Sequence, residues 1–169
     1  ANGDLTKRLV VPALYNLSRT GMLPPRFVLV GVDHNDKSSA DWQAGLKQFL
    51  TETLAKNGES VDEKLWQPIA KGMTFLKGDF EDDAAYGKLA DLLADLDKKN
   101  ELGGNVLFYM AVADRFFPTI AGKLGEAGLV DANSKGFGRL IVEKPFGHDL
   151  ASAKAPNGCL RNIPKGEQA

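Results

Sequence analysis

Phe27-Val28-Leu29-Val30-Gly31-Val32 is an unbroken apolar run between the turn Thr20–Pro25 and the polar residues Asp33-His34. A continuous apolar stretch of this kind is expected of a β-strand buried on both faces. Working outward, Met73-Thr74-Phe75-Leu76 begins a second strand ending near Phe80. Val106-Leu107-Phe108-Tyr109-Met110-Ala111-Val112 reads as a third strand and Leu140-Ile141-Val142 as a fourth. The segments between them read as helices. One is capped by Ser38 or Ser39 and reaches about Lys56, and a shorter one spans Val61 to Ala70 with an interruption at Pro68. From Ala84 to Lys99 the chain is strongly helical, with Leu89, Leu92, Leu93 and Leu96 on one face; a further helix runs from Arg115 to Leu129 with a kink at Pro118. Ahead of the first strand, Leu5 to Ser18 is a helix opened by Asp4 and bent at Pro12. Asp149 begins a last helix. Strand and helix alternate throughout, which predicts an α/β fold with a doubly wound parallel sheet covered by helices on both faces.

The totals suit that reading. The chain has 169 residues, 43% apolar and 25% charged, enough to bury a core in a domain of ordinary size. The net charge of −1 comes from interspersed signs, which argues against a nucleic-acid surface or a polybasic membrane patch. No apolar run approaches a membrane span and no signal peptide is visible. Cys159 is the only cysteine, which rules out an internal disulfide and a cysteine metal cluster and fits a reducing, cytoplasmic setting. Residues 158–169 carry little apolar periodicity and read as a poorly packed tail.

Three places have the character of a site. In a doubly wound sheet the turn after the first strand binds a pyrophosphate, because helix-start N–H groups and the dipole favour negative charge. Gly3-Asp4-Leu5-Thr6-Lys7-Arg8 can be such a turn, with Gly3 permitting close approach and Lys7 and Arg8 adding charge, or it can be an ordinary helix start. Asp33 and His34 end the first predicted strand, where such folds read the adenosine ribose. The acid suits a 2′-hydroxyl and the imidazole, more weakly, a 2′-phosphate; both can equally be exposed turn residues. Glu143-Lys144-Pro145-Phe146-Gly147 follows the last strand, at the sheet edge where α/β proteins bind ligands. Pro145 holds Lys144 extended, which fixes where its stem leaves the sheet. A surface lysine before a turn is the plainer reading. The acids Glu81-Asp82-Asp83 show no metal-ligand spacing, and His148 reads as a solvated helix-start residue.

Together these stretches resemble the coenzyme domain of the glucose-6-phosphate dehydrogenase family. The resemblance rests on Gly3 to Arg8 with Pro12-Ala13-Leu14-Tyr15-Asn16-Leu17, on Phe27 to Gly31, on Phe108 to Val112, and on Glu143 to Gly147 with Asp149-Leu150-Ala151-Ser152-Ala153. It covers residues 1–157, which it implies are a partial NAD(P)-binding Rossmann-like domain whose first strand is missing. Residues 158–169 do not resemble the family. The resemblance implies oxidation of glucose 6-phosphate at C1 to the lactone, with hydride passing to NADP⁺, NAD⁺ being possible. It places Gly3, Asp4, Leu5 and Lys7 at the coenzyme turn, His34 at the 2′-phosphate, Phe117 where a coenzyme-contacting tyrosine occurs, and Lys144 against both coenzyme and glucose 6-phosphate. It implies no metal, and an oligomer for the full-length parent only.

The departures are specific. Leu9 stands where a substrate-contacting lysine is common, His34 where an arginine often grips the 2′-phosphate, and Asp114 where proline is frequent. The histidine segment that carries the family's base has no counterpart, so no catalytic residue is assigned and the chain alone is expected to be inactive. Two other readings stand beside this one. One is a nucleotide-binding or interaction module without catalysis. The other is a sugar oxidoreductase of the inositol or glucose–fructose type, whose Gly-x-Gly-x-x-Gly turn this chain lacks. The geometry that the leading reading demands is the Gly3 turn and Lys144 facing one cleft.

Overall fold

A computed structural model of the chain describes residues 1–130 and 136–142. The Glu143–Gly147 block with Lys144, His148, the helix expected from Asp149, Cys159 and the tail 158–169 lie outside the described residues. The fold is α/β with short parallel strands, and the chain divides into two compact units, 1–78 and 79–169. No helix among the described residues is long and apolar enough to cross a membrane.

The first unit contains α1 (Val11–Arg19), β1 (Leu29–Asp33), α2 (Ser39–Ala55), α3 (Glu63–Lys71) and β2 (Met73–Lys77). Its opening helix differs from expectation in two ways. Asp4 does not cap it: the carboxylate pairs with Arg8 Nε one turn on, at 2.8 Å in solvent. Around Pro12 the ladder changes: Thr6–Val10 form a π turn, closed by the Val11 N–H on the Thr6 carbonyl, and the helix continues as α-helix from Val11. Pro12 has no N–H for a backbone bond of its own, and the wider turn before it relieves the crowding that a mid-helix proline causes.

α2 is capped as expected: Ser38 Oγ accepts from the Asp41 N–H at 3.0 Å and donates to the Asp41 carboxylate. Trp42, Leu46 and Leu50, four residues apart on one face, are almost wholly buried. They meet Val11, Tyr15, Trp66, Ile69 and Met73 in a single core. Burial of each large side chain contributes ~1.5–3 kcal/mol. α3 runs through Pro68 without interruption. The carbonyl that Pro68 leaves unbonded belongs to exposed Lys64, which water can serve, while Trp66 and Ile69 seat the helix in the core. Polar contacts join α1 to α3: Ser18 Oγ donates to the Leu65 carbonyl at 2.7 Å, and the Asp62 N–H donates to Tyr15 Oη at 2.9 Å.

β1 pairs in parallel with β2, Gly31 opposite Phe75. The strand begins two residues later than expected and includes Asp33. Gly31 is required by packing: a Cβ there would stand 2.5 Å from the Trp42 ring. The same holds at Gly72, where a Cβ would meet the Phe27 carbonyl oxygen at 2.5 Å. Leu29, Val30 and Val32 are half-buried rather than buried on both faces, because β1 has one ladder partner among the described residues.

The described part of the second unit contains α4 (Asp83–Asn100), β3 (Val106–Met110), a 3₁₀ turn (Asp114–Phe116), α5 (Phe117–Glu126) and β4 (Gly138–Val142). Asp82 caps α4 by accepting from the Ala84 N–H. The expected leucine face is graded: Leu89 is buried with Ala85 and Tyr86, whereas Leu92, Leu93 and Leu96 are half-buried. Pro118 produces no kink, since the α-helix begins at Phe117 and the proline occupies a first turn. Phe117, Ile120, Ala121 and Leu124 are buried from α5. Lys123 reaches across to pair with Asp83 and lies over the Tyr86 ring, tying α5 to α4. β3 pairs in parallel with β4, Phe108 opposite Leu140.

The strands form two parallel two-stranded sheets, and no ladder joins them among the described residues.

Candidate coenzyme site

The carboxyl end of β1 meets the turn that opens the chain. Asp33, last residue of β1, is buried, and its carboxylate is directed at that turn. Its Oδ2 accepts from the Asn2 N–H at 2.9 Å and from the Ala1 amino group at 2.8 Å. Its Oδ1 accepts from the Asn35 N–H at 3.1 Å and from Asn35 Nδ2 at 2.8 Å. Burial alone would raise the Asp33 pKa, but the N–H groups of Asn2 and Asn35 that donate to it hold it well below the usual carboxylate range. The Ala1 amino group also donates to the Val32 carbonyl, and the Trp42 indole N–H to the Ala1 carbonyl. Residues 1 and 2 are thus held from three sides.

The helix starts directly beyond. Gly3 and Asp4 are exposed, Leu5 and Lys7 half-buried. The first N–H groups of any helix lack an intrahelical acceptor, so the start at Gly3, Asp4 and Leu5 offers donors to an anion. Arg8 offsets the Asp4 charge, and Lys7 remains as a cation beside them. The donor set fits a phosphate group. Lys37 Nζ comes to 3.2 Å from Asn2 Oδ1, and the His34 side chain is 71% exposed, 3.6 Å from Asp33 Oδ1. Asp36 is engaged by Lys77 at 2.9 Å. Leu9 is half exposed.

The structure thus brings Gly3, Asp4, Leu5, Lys7 and His34 to one end of β1. Phe117 belongs to the second unit, where its ring is buried at the start of α5, and Lys144 lies outside the described residues. Sequence reading missed Asn2, Asn35 and Lys37. Asp-x-Asn at 33–35 was the available signal for Asn35, because an aspartate commonly accepts from the N–H two residues on.

A family model described as the glucose-6-phosphate dehydrogenase NAD binding domain matches residues 1–169. The chain belongs to that family. Among curated relatives it is 37% identical over 161 residues to glucose-6-phosphate 1-dehydrogenase 2 of Mycobacterium bovis, covering 95% of this chain and 31% of the relative. The enzyme of Chlamydia pneumoniae is 35% identical over 163 residues, again with 95% and 31% covered. A solved glucose-6-phosphate dehydrogenase in complex with its substrate glucose-6-phosphate is similar with a TM-score of 0.80 at 29% identity, over 95% of this chain and 32% of that one. The chain spans about a third of the length of these relatives. As a member of the glucose-6-phosphate dehydrogenase NAD-binding domain family it has a Rossmann-like fold, and a nicotinamide dinucleotide is the cofactor class of that domain.

Proposed function

We propose that this chain is the coenzyme-binding part of a cytosolic glucose-6-phosphate dehydrogenase that uses NADP⁺ to oxidise glucose 6-phosphate at C1. The family match along all 169 residues carries the proposal. In this reading the N–H groups of Gly3, Asp4 and Leu5 receive the pyrophosphate, with Lys7 adding charge. His34 lies on the adenosine side. Phe117 offers the coenzyme an aromatic ring without the hydroxyl of the tyrosine found at this place in some members. Lys144 holds the sugar and the coenzyme at the far end of the site. The nicotinamide supplies the hydride acceptor when bound.

Removing hydride from C1 also requires a base for the hydroxyl proton, and a histidine suits that task near neutral pH. The chain contains two histidines. His34 belongs to the adenosine side, and His148 follows the Lys144 block with nothing in the sequence to orient it. The 169-residue chain therefore binds coenzyme without turning over.

Separate calorimetric titrations with NADP⁺, NAD⁺ and glucose 6-phosphate test this. The expected result is saturable dinucleotide binding, tighter for NADP⁺, with no NADPH formed on adding glucose 6-phosphate. Failure to bind either dinucleotide would overturn the coenzyme assignment, and NADPH formation would overturn the inactivity.

A further inference from the structure

A buried tryptophan carries one N–H that needs an acceptor, and Trp42 finds it in the segment that leads to the glycine turn. Trp42 lies in the first turn of α2 and is only 2% exposed. The Trp42 N–H on the Ser38 carbonyl, with the Ser38 cap, fixes where that turn begins. Ser39 Oγ accepts from the Phe75 N–H at 2.9 Å and fastens the turn to β2. The indole then lies against the opposed pair Gly31 and Phe75. Its ring centroid is 5.7 Å from that of Phe75, and a Cβ on Gly31 would stand 2.5 Å from its Cζ2. The same bare Cα admits the Ala1 methyl, 2.9 Å from where that Cβ would be. Trp42 Nε1 donates to the Ala1 carbonyl at 3.3 Å. Both contacts are made by the methyl and the peptide carbonyl of Ala1, not by its amino group. Gly3, where the helix start offers its N–H groups, follows two residues on. Trp66 is buried to the same degree in the same core but enters it from α3.

Resting on the coenzyme assignment above, we propose that Trp42 is a positioning residue for the coenzyme turn: its indole, seated against Gly31, holds the backbone ahead of Gly3 so that the N–H groups of Gly3, Asp4 and Leu5 face an incoming pyrophosphate. Trp42 acts through the turn, by fixing donors before the ligand arrives. The pyrophosphate is common to both dinucleotides, so the effect falls equally on NADP⁺ and NAD⁺.

The test compares Trp42→Phe with Trp66→Phe in the 169-residue chain. Both variants lose an indole from one core, and both are expected to lower the denaturant midpoint. Trp42→Phe alone also frees the turn. By calorimetry it is expected to weaken NADP⁺ and NAD⁺ by the same factor, about fivefold, as for one ordinary hydrogen bond. It is also expected to speed hydrogen exchange at the Asn2 and Gly3 amides, read by NMR. Trp66→Phe leaves affinities and exchange unchanged. The parent chain has two tryptophans, hence two indole N–H resonances, which Trp66→Phe tells apart. Saturating NADP⁺ is expected to shift that of Trp42 and not that of Trp66, a response that packing alone does not produce. Equal losses of affinity in the two variants, no loss in Trp42→Phe, or an unmoved Trp42 resonance would overturn the role. Should Trp42→Phe not fold, the indole resonances of the parent decide. Should the parent bind neither dinucleotide, the coenzyme assignment falls and the positioning role with it, while amide exchange still decides whether the indole docks the turn.

Discussion

At the scale of single residues, Asp33 shows how one buried group ties the opening turn to a strand. Its pKa is depressed on folding, so the unfolded chain takes up a proton first as the pH falls. The stability it contributes is complete above the unfolded carboxylate value of about 4 and is lost as the pH falls from there toward the folded value. Acid titration followed by tryptophan emission is expected to show this loss, because the Trp42 indole bonds to Ala1 beside the carboxylate. In Asp33→Asn that part of the pH dependence disappears. Glycines give a second contrast. Gly31→Ala forces the new methyl into the Trp42 ring and is expected to cost about 1–3 kcal/mol. Gly45→Ala, within α2 and with open space at its Cβ, is expected to stabilise by about 0.5–1 kcal/mol. Denaturant melts of the two variants should move in opposite directions.

At the scale of elements, helix starts are where local chemistry is strongest. The sequence marked the start of α2 by Ser38 or Ser39, and the structure selects Ser38, whose hydroxyl accepts from the Asp41 N–H and donates to the Asp41 carboxylate. Ser38→Ala is expected to cost ~1 kcal/mol and to fray the turn that carries Trp42, seen as a lower denaturant midpoint and red-shifted emission. Pro68 does not interrupt α3, Pro118 falls at the start of α5, and next to Pro12 the α ladder gives way to a π turn. A proline's cost depends on whether its partner carbonyl is already free, exposed or displaced by a neighbouring turn. That is decided by where the helix begins, and a helix boundary is set by the packing around it.

At the scale of the molecule, each compact unit has a core of its own. Trp42, Leu46, Leu50, Trp66 and Ile69 fill the first; Tyr86, Leu89, Phe117, Ile120 and Leu124 belong to the second. Two-stranded sheets are marginal by themselves, so each depends on its helices. Both tryptophans of the chain fall in the first unit. Thermal unfolding is therefore expected to depart from a single two-state transition, with tryptophan emission following the first unit and far-UV dichroism both. Coincident melts by the two probes would show that the units unfold together.

The sequence by itself determined the α/β class, the order of strands and helices, a serine cap at Ser38 or Ser39 and the place of the glycine turn. Each follows from contacts within a few residues or from the periodicity of apolar side chains. It also carried the family resemblance, in short blocks whose residue types survive divergence. The tertiary structure decided which strands pair, where the prolines fall within their helices, and that Asp33 turns inward to hold Asn2 rather than outward to a ligand. Those outcomes depend on groups distant in sequence that compete for the same ladder, core volume or lone pair, and only the folded arrangement resolves that competition.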